Sequence, residues 1–234
     1  MNMMTRHFKL LFSFLLFTFS LQASYILIPM DEDTQKDHLK AYGIAFWTLE
    51  HDQTVDWLLN YRGGSFLIRN NTQIEKECII RGVSYEIITD SYKRQIQLEL
   101  ANPESNTDII KLEKAPKVAV YSPEGNLPWD DAVTMVLSYA EIPYVIIYDE
   151  EILSDLLPLY DWLHLHHEDF TGQYGKFYAH FKNAPWYIEQ KRDFESSANS
   201  LGFSKVSEQK LAVALRIKEF LAGGGFLFAM CSAT

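Results

Sequence analysis

Only two cysteines, Cys78 and Cys231, occur in 234 residues, and two do not make a disulfide framework. They can pair with each other in an oxidising compartment, or remain as a small buried hydrophobe and a free thiol. Nor does any cluster of lysine or arginine interrupt the acidity of the chain, whose formal net charge is −10. Nucleic-acid binding therefore lacks its electrostatic footprint, and an anionic membrane surface is disfavoured for the same reason. Internal repeats and low-complexity segments are lacking as well. The one long apolar run, Leu10 to Leu21, is too short for a comfortable membrane span.

That run follows Arg6 and Lys9 and leads to Gln22-Ala23-Ser24, a small-residue exit. Positive start, apolar middle and small exit are the pattern of a secretory signal peptide over residues 1–24, so the chain is expected to be exported, periplasmic or extracellular. No cysteine follows to accept a lipid, and no stable membrane insertion is expected after cleavage. Removal leaves 19 basic against 31 acidic residues, a net charge of −12.

The remainder divides near Glu113-Lys114-Ala115-Pro116. Residues 25–114 are expected to form a small α/β domain. Tyr25 to Pro29 reads as an apolar strand, and Asp31-Glu32-Asp33 as an acidic helix start or, alternatively, a carboxylate cluster for acid–base or metal work. Leu39, Tyr42, Phe46 and Leu49 repeat at helical spacing. Val55–Tyr61 and Ser65–Ile68 flank Arg62-Gly63-Gly64, a tight strand turn whose alternative use is to hold an anion through backbone N–H groups and the guanidinium. Thr72 and Glu75 have capping-box spacing for a helix ending at Gly82, a strand follows over 83–88, and Ser91–Leu100 is helical.

Residues 115–234 are expected to form a second α/β domain. Val118–Tyr121, Tyr144–Tyr148, about Tyr160–Leu165 and Phe226–Met230 read as buried strands. Between them lie a helix capped by Asp130, with Val133, Val136, Leu137 and Ala140 on one stripe, and a helix from Ser207. In the latter, Val213, Ala214, Ile217, Phe220 and Leu221 share one face and Glu208, Gln209, Arg216 and Glu219 the other. Apolar strands alternating with helices imply a parallel sheet covered on both faces. The stretch 170–205, rich in aromatics, reads as an insertion near the strand ends. Because the chain stops directly after a buried strand, it is expected to be the front part of a longer protein.

Chemistry in open α/β sheets gathers at the carboxyl ends of the strands. Cys231 follows the last strand, where a strand-to-helix turn would favour a thiolate and offer N–H groups to an oxyanion. His164, His166 and Glu168, in the run His164–Asp169, are spaced to ligate a metal, to position substrate, or to order the following loop; His166 can also serve as a base for Cys231. Ser122, Glu124 and Asn126 occupy the loop after the first strand of this half, a ligand-facing position, as do Arg62, Gly63 and Gly64 if their turn binds an anion. A small-molecule or peptide ligand is expected, and no cofactor is implied by any motif.

The order strand, helix, strand, helix, strand, insertion, helix, Gly223-Gly224-Gly225, strand, Cys231 resembles the class I glutamine amidotransferase-like superfamily over residues 116–234. The resemblance implies a flavodoxin-like parallel sheet and amide hydrolysis through a thioester on Cys231. Ala229 and Ala233 stand where that family has glycines beside the nucleophile. A non-catalytic module that keeps the fold for ligand or partner recognition is the alternative. Tyr25–Asp31, His38–Gly43 and Trp57–Phe66 are similar to exported bacterial proteins labelled asparagine synthetase B. That label implies an N-terminal cysteine and a Ser-Gly-Gly-x-Asp-Ser loop, whereas the second residue is Asn2 and no such loop occurs.

Overall fold

A computed structural model describes residues 24–102, 104, 106–122, 132–166 and 175–230, with the backbone alone at 166 and 175–177. Two compact units make up the chain, 1–113 and 114–234, each with its own sheet. The fold class is α/β.

The first unit runs β1 (Ser24–Ile28), α1 (His38–Glu50), β2 (Val55–Leu59), β3 (Phe66–Arg69), α2 (Thr72–Arg81), β4 (Glu86–Thr89), α3 (Asp90–Leu100) and β5 (Asp108–Leu112). Its sheet has the order β4-β1-β3-β2-β5, and every pairing is antiparallel. Register puts Ile26, Ile68 and Val55 in one row and Leu27 and Leu67 in another, so the central strands bury both faces. On one face Leu27, Leu58, Leu67 and Ile88 pack with Ile96 and Leu100 of α3. Strand β5 carries Asp108 and Lys111 on an exposed edge, and no strand was read there from the sequence. Helix α2 takes Asn71, not Thr72, as its N-cap: the Asn71 side chain accepts from the Gln73 N–H at 2.9 Å.

The second unit runs β6 (Val118–Tyr121), α4 (Ala132–Ala140), β7 (Tyr144–Ile147), α5 (Asp149–Leu153), a 3₁₀ turn (Leu157–Leu159), β8 (Trp162–His166), α6 (Gly175–Phe181), α7 (Pro185–Ser200), α8 (Val206–Ala222) and β9 (Phe226–Met230). All its strands are parallel, in the order β7-β6-β8-β9. Strand β6, buried at every residue, is central, because two helical crossovers bring β7 and β8 to its two sides. On one face Ala119, Tyr121, Leu163 and Leu165 pack against Val213, Ile217 and Phe220 of α8.

The structure corrects the expected burial in three places. The sheet is not covered evenly: on β9, Phe226, Phe228 and Met230 are exposed while Leu227 and Ala229 turn toward the core, as befits an edge strand among the described residues. And the buried stripe of α8 runs through Val206, Gln209, Lys210, Val213, Ile217 and Phe220, so Gln209 belongs to the interior and Leu221 is exposed. In α4 Thr134 is buried and Val136 exposed. Asp130 and the span 1–23 lie outside the described residues.

Candidate functional site

The carboxyl edge of the parallel sheet is built from the last residues of β6, β7, β8 and β9. Ser122, the first residue after β6, is buried, and its N–H donates to the Ile147 carbonyl at 3.1 Å. That bond continues the β6–β7 ladder by one residue and holds the start of the following segment against β7. On the other side of β6, His164 lies in register between Val120 and Phe228 and is 7% exposed. Its ring stacks on Phe228, centroids 5.2 Å apart. His166, the last residue of β8, pairs in register with Met230, the last of β9. The chain passes from Met230 directly to Cys231. Cys231, Glu124, Asn126 and Glu168, and the side chain of His166, lie outside the described residues.

Beneath this edge sits a polar network that sequence reasoning missed. Lys210 Nζ, on a side chain 2% exposed, donates to Asp149 Oδ2 at 3.0 Å, Tyr121 Oη at 2.9 Å and Tyr148 Oη at 3.0 Å. Three acceptors match the three protons of an ammonium. The Tyr121 hydroxyl donates to Asp149 Oδ1, and Gln209 Nε2 donates to Asp149 Oδ2 at 2.8 Å and to Ser197 Oγ at 3.3 Å. The rings of Tyr148, Tyr121 and Phe194 stand 4.5, 5.4 and 5.7 Å from Nζ, within cation–π range. Desolvating both charges costs several kcal/mol per ion in general, and the hydrogen bonds on every side are what make such a pair tolerable. The sequence signal was present: Lys210 continues the Val206–Val213–Ile217 stripe, so a lysine there must find a buried anion.

Arg62, Gly63 and Gly64 belong to the first unit, in the turn between β2 and β3. Arg62 has φ 45° and Gly63 φ 80°, both left-handed. Its guanidinium donates to Asp31 Oδ2 and Glu86 Oε1, each at 2.8 Å, and to Thr34 Oγ1 at 3.3 Å. The hydrogen bond from Thr34, with help from Arg62, lowers the Asp31 carboxyl below its ordinary range. Burial works against the Arg62 charge, but its bonds to Glu86 and Asp31 outweigh that and raise it. Asp31 is thus a partner of the turn, and Arg62 already carries two carboxylates.

Cys78, inside α2, is fully buried, and burial pushes its thiol up to about 12. Such a group is inert as a nucleophile. Among the described residues no three histidine, cysteine or carboxylate side chains gather to hold a metal, and no helix is long and apolar enough to cross a membrane. No protein-family model, curated protein or solved structure matches the chain.

Proposed function

We propose that residues 114 onward form a flavodoxin-like, class I glutamine amidotransferase-like domain of an exported protein, and that it is a cysteine-dependent amidase with Cys231 as nucleophile. The carrying observation is the register of β9: it lies parallel to β8 with Met230 across from His166, so the chain enters Cys231 from the carboxyl end of a sheet strand. The strand order supports the same reading. Counted within the unit, it runs second, first, third, fourth, and the direction of crossover reverses between β6 and β8, the position at which open sheets take ligands. Ser122 and His166 flank that position along the chain.

In the proposed reaction the Cys231 thiolate attacks a carboxamide carbon, with His166 taking the thiol proton. The C–N bond then breaks and ammonia leaves with that proton, giving a thioester. Water hydrolyses the thioester to a carboxylic acid and regenerates the thiol.

The test is alkylation by iodoacetamide across pH, with ammonia release from L-glutamine and L-asparagine measured in parallel. An activated nucleophile has a reactivity midpoint at least about one unit below the ordinary thiol value of about 8.5. Ammonia release should disappear in Cys231→Ser. An ordinary midpoint with no Cys231-dependent ammonia sinks the amidase and leaves a non-catalytic binding module.

A further inference from the structure

We propose that the groove at the amino ends of β8 and β9 binds a small organic cation, an ammonium or amidinium group carried on an apolar body. The groove is a cavity of about 400 Å³, within the range of small-molecule sites. Asp161, just before β8, and Phe226, the first residue of β9, line it, so it lies at the opposite ends of these strands from His166 and Met230. Binding there does not depend on the amidase reading.

The end of α8 makes the space. Gly223, Gly224 and Gly225 form a wall without side chains, and a Cβ at Gly225 would overlap the Phe220 ring. The Gly225 N–H donates to the Phe220 carbonyl at 3.0 Å, and the Phe226 N–H to the Asp161 carbonyl at 2.9 Å. These two bonds hold the wall against the start of β8. Buried Ile152, Leu157 and Phe220 give the groove an apolar floor, and Phe226, 73% exposed, stands at its rim. A ligand with an apolar body takes part of that exposed ring out of water.

The charge of the lining selects the head group. Arg216 Nη1 donates to Glu219 Oε2 at 3.0 Å and lies 3.3 Å from Asp155 Oδ1. One guanidinium thus serves two carboxylates, and one negative charge is left over. Asp161 adds no surplus, because Lys114 Nζ lies 3.5 Å from its Oδ1. Glu219 stands in the last turn of α8, where the helix dipole is itself negative, and no basic residue occupies that turn. A monovalent cation beside Asp155 and Glu219 meets both the leftover charge and the dipole. An anion would have to displace one of these carboxylates from Arg216.

The experiment titrates the full chain by calorimetry, at low ionic strength, with benzamidine, with its neutral counterpart benzamide and with the anion benzoate. Benzamidine should bind with a Kd of about 1 mM or below and at least about threefold more tightly than benzamide, the margin that an exposed charge contact supplies. Benzoate should not bind. Glu219→Gln, at a side chain 67% exposed, cancels the surplus charge and should bring the benzamidine and benzamide affinities together. Phe226→Ala removes the rim and should weaken both probes alike, by about twofold or more. If Glu219→Gln does not fold, Asp155→Asn makes the same change on the other side of Arg216 and decides. No benzamidine binding up to about 5 mM, equal affinity for benzamide in the parent, or an undiminished preference in Glu219→Gln overturns the cation site. Unchanged binding in Phe226→Ala puts the probe elsewhere and overturns it as well.

Discussion

Replacing Gly63 by alanine separates two costs that are usually measured together. The residue sits at φ 80° in the β2–β3 turn, and a Cβ built there would overlap the Met30 carbonyl oxygen and come within 2.5 Å of its carbon. Those atoms are backbone, and Met30 is pinned: its N–H donates to the Arg62 carbonyl at 3.0 Å. Left-handed backbone costs a non-glycine residue about 1–2 kcal/mol. The overlap adds the price of forcing packed atoms apart, about 1–3 kcal/mol. The sum is about 2–5 kcal/mol, a large share of the stability of a domain this size. Gly82 supplies the control, since it caps α2 at φ 71° with nothing within 4 Å of a built Cβ. Gly82→Ala should therefore cost only the backbone part, about 1–2 kcal/mol. Urea titration of each variant against the parent measures the difference; with an m-value of about 2 kcal/mol/M, Gly63→Ala lowers the midpoint by about 1–2.5 M. Trp57 is a local reporter, because its indole N–H donates to the Gly64 carbonyl at 3.0 Å, and its native emission should shift in Gly63→Ala alone. Equal losses in the two variants would refute the reasoning, because they would mean that the Met30 backbone yields without cost.

Two further outcomes follow from the first unit. Cys78 should resist iodoacetamide at pH 8 in the folded protein and react at once in guanidinium, since burial pushes its thiol up to about 12; rapid labelling of native Cys78 contradicts this. Asp31 has its folded pKa lowered from 3.8, chiefly by Thr34 and with help from Arg62, so the stability it contributes is present above the unfolded value and lost as pH falls through the folded one. Asp31→Asn should accordingly flatten the acid limb of a stability–pH curve below about pH 4 while leaving the slope near neutrality unchanged; an unaltered acid limb rules out this contribution.

Much of the architecture was legible because its signals are local. The β2–β3 turn is written in Arg62-Gly63-Gly64, and the strands of the second unit in short apolar runs such as Val118–Tyr121. What escaped was decided by partners remote in sequence. Strand β5 has a mixed pattern, Asp108-Ile109-Ile110-Lys111-Leu112, and becomes a strand because β2 offers it an edge. Gln209 reads as solvated until Asp149, 60 residues earlier, appears beside it. Thr72 has the spacing of a capping box, yet Asn71 takes the extended N-cap position and its side-chain oxygen accepts from the Gln73 N–H, which leaves Thr72 as the first helical residue. Of the candidate site, the sequence held the strand ends and His164 but not the ion pair below them. Charge periodicity on α8 is ambiguous wherever a buried counter-ion is possible.

The pairing pattern of the two sheets also sets a timetable. In the first unit β2 meets β3 through a short turn, and β1 pairs with β3 and β4. In the second, Val118 waits for Trp162, and Trp162 in turn for Phe226. Closing such wide loops before any contact rewards them slows assembly. During synthesis the amino-terminal half should therefore consolidate early, while β6 and β7 remain an unfinished sheet until β9 has been made. Chaperone capture or proteolytic nicking in that interval should concentrate on the carboxyl-terminal half.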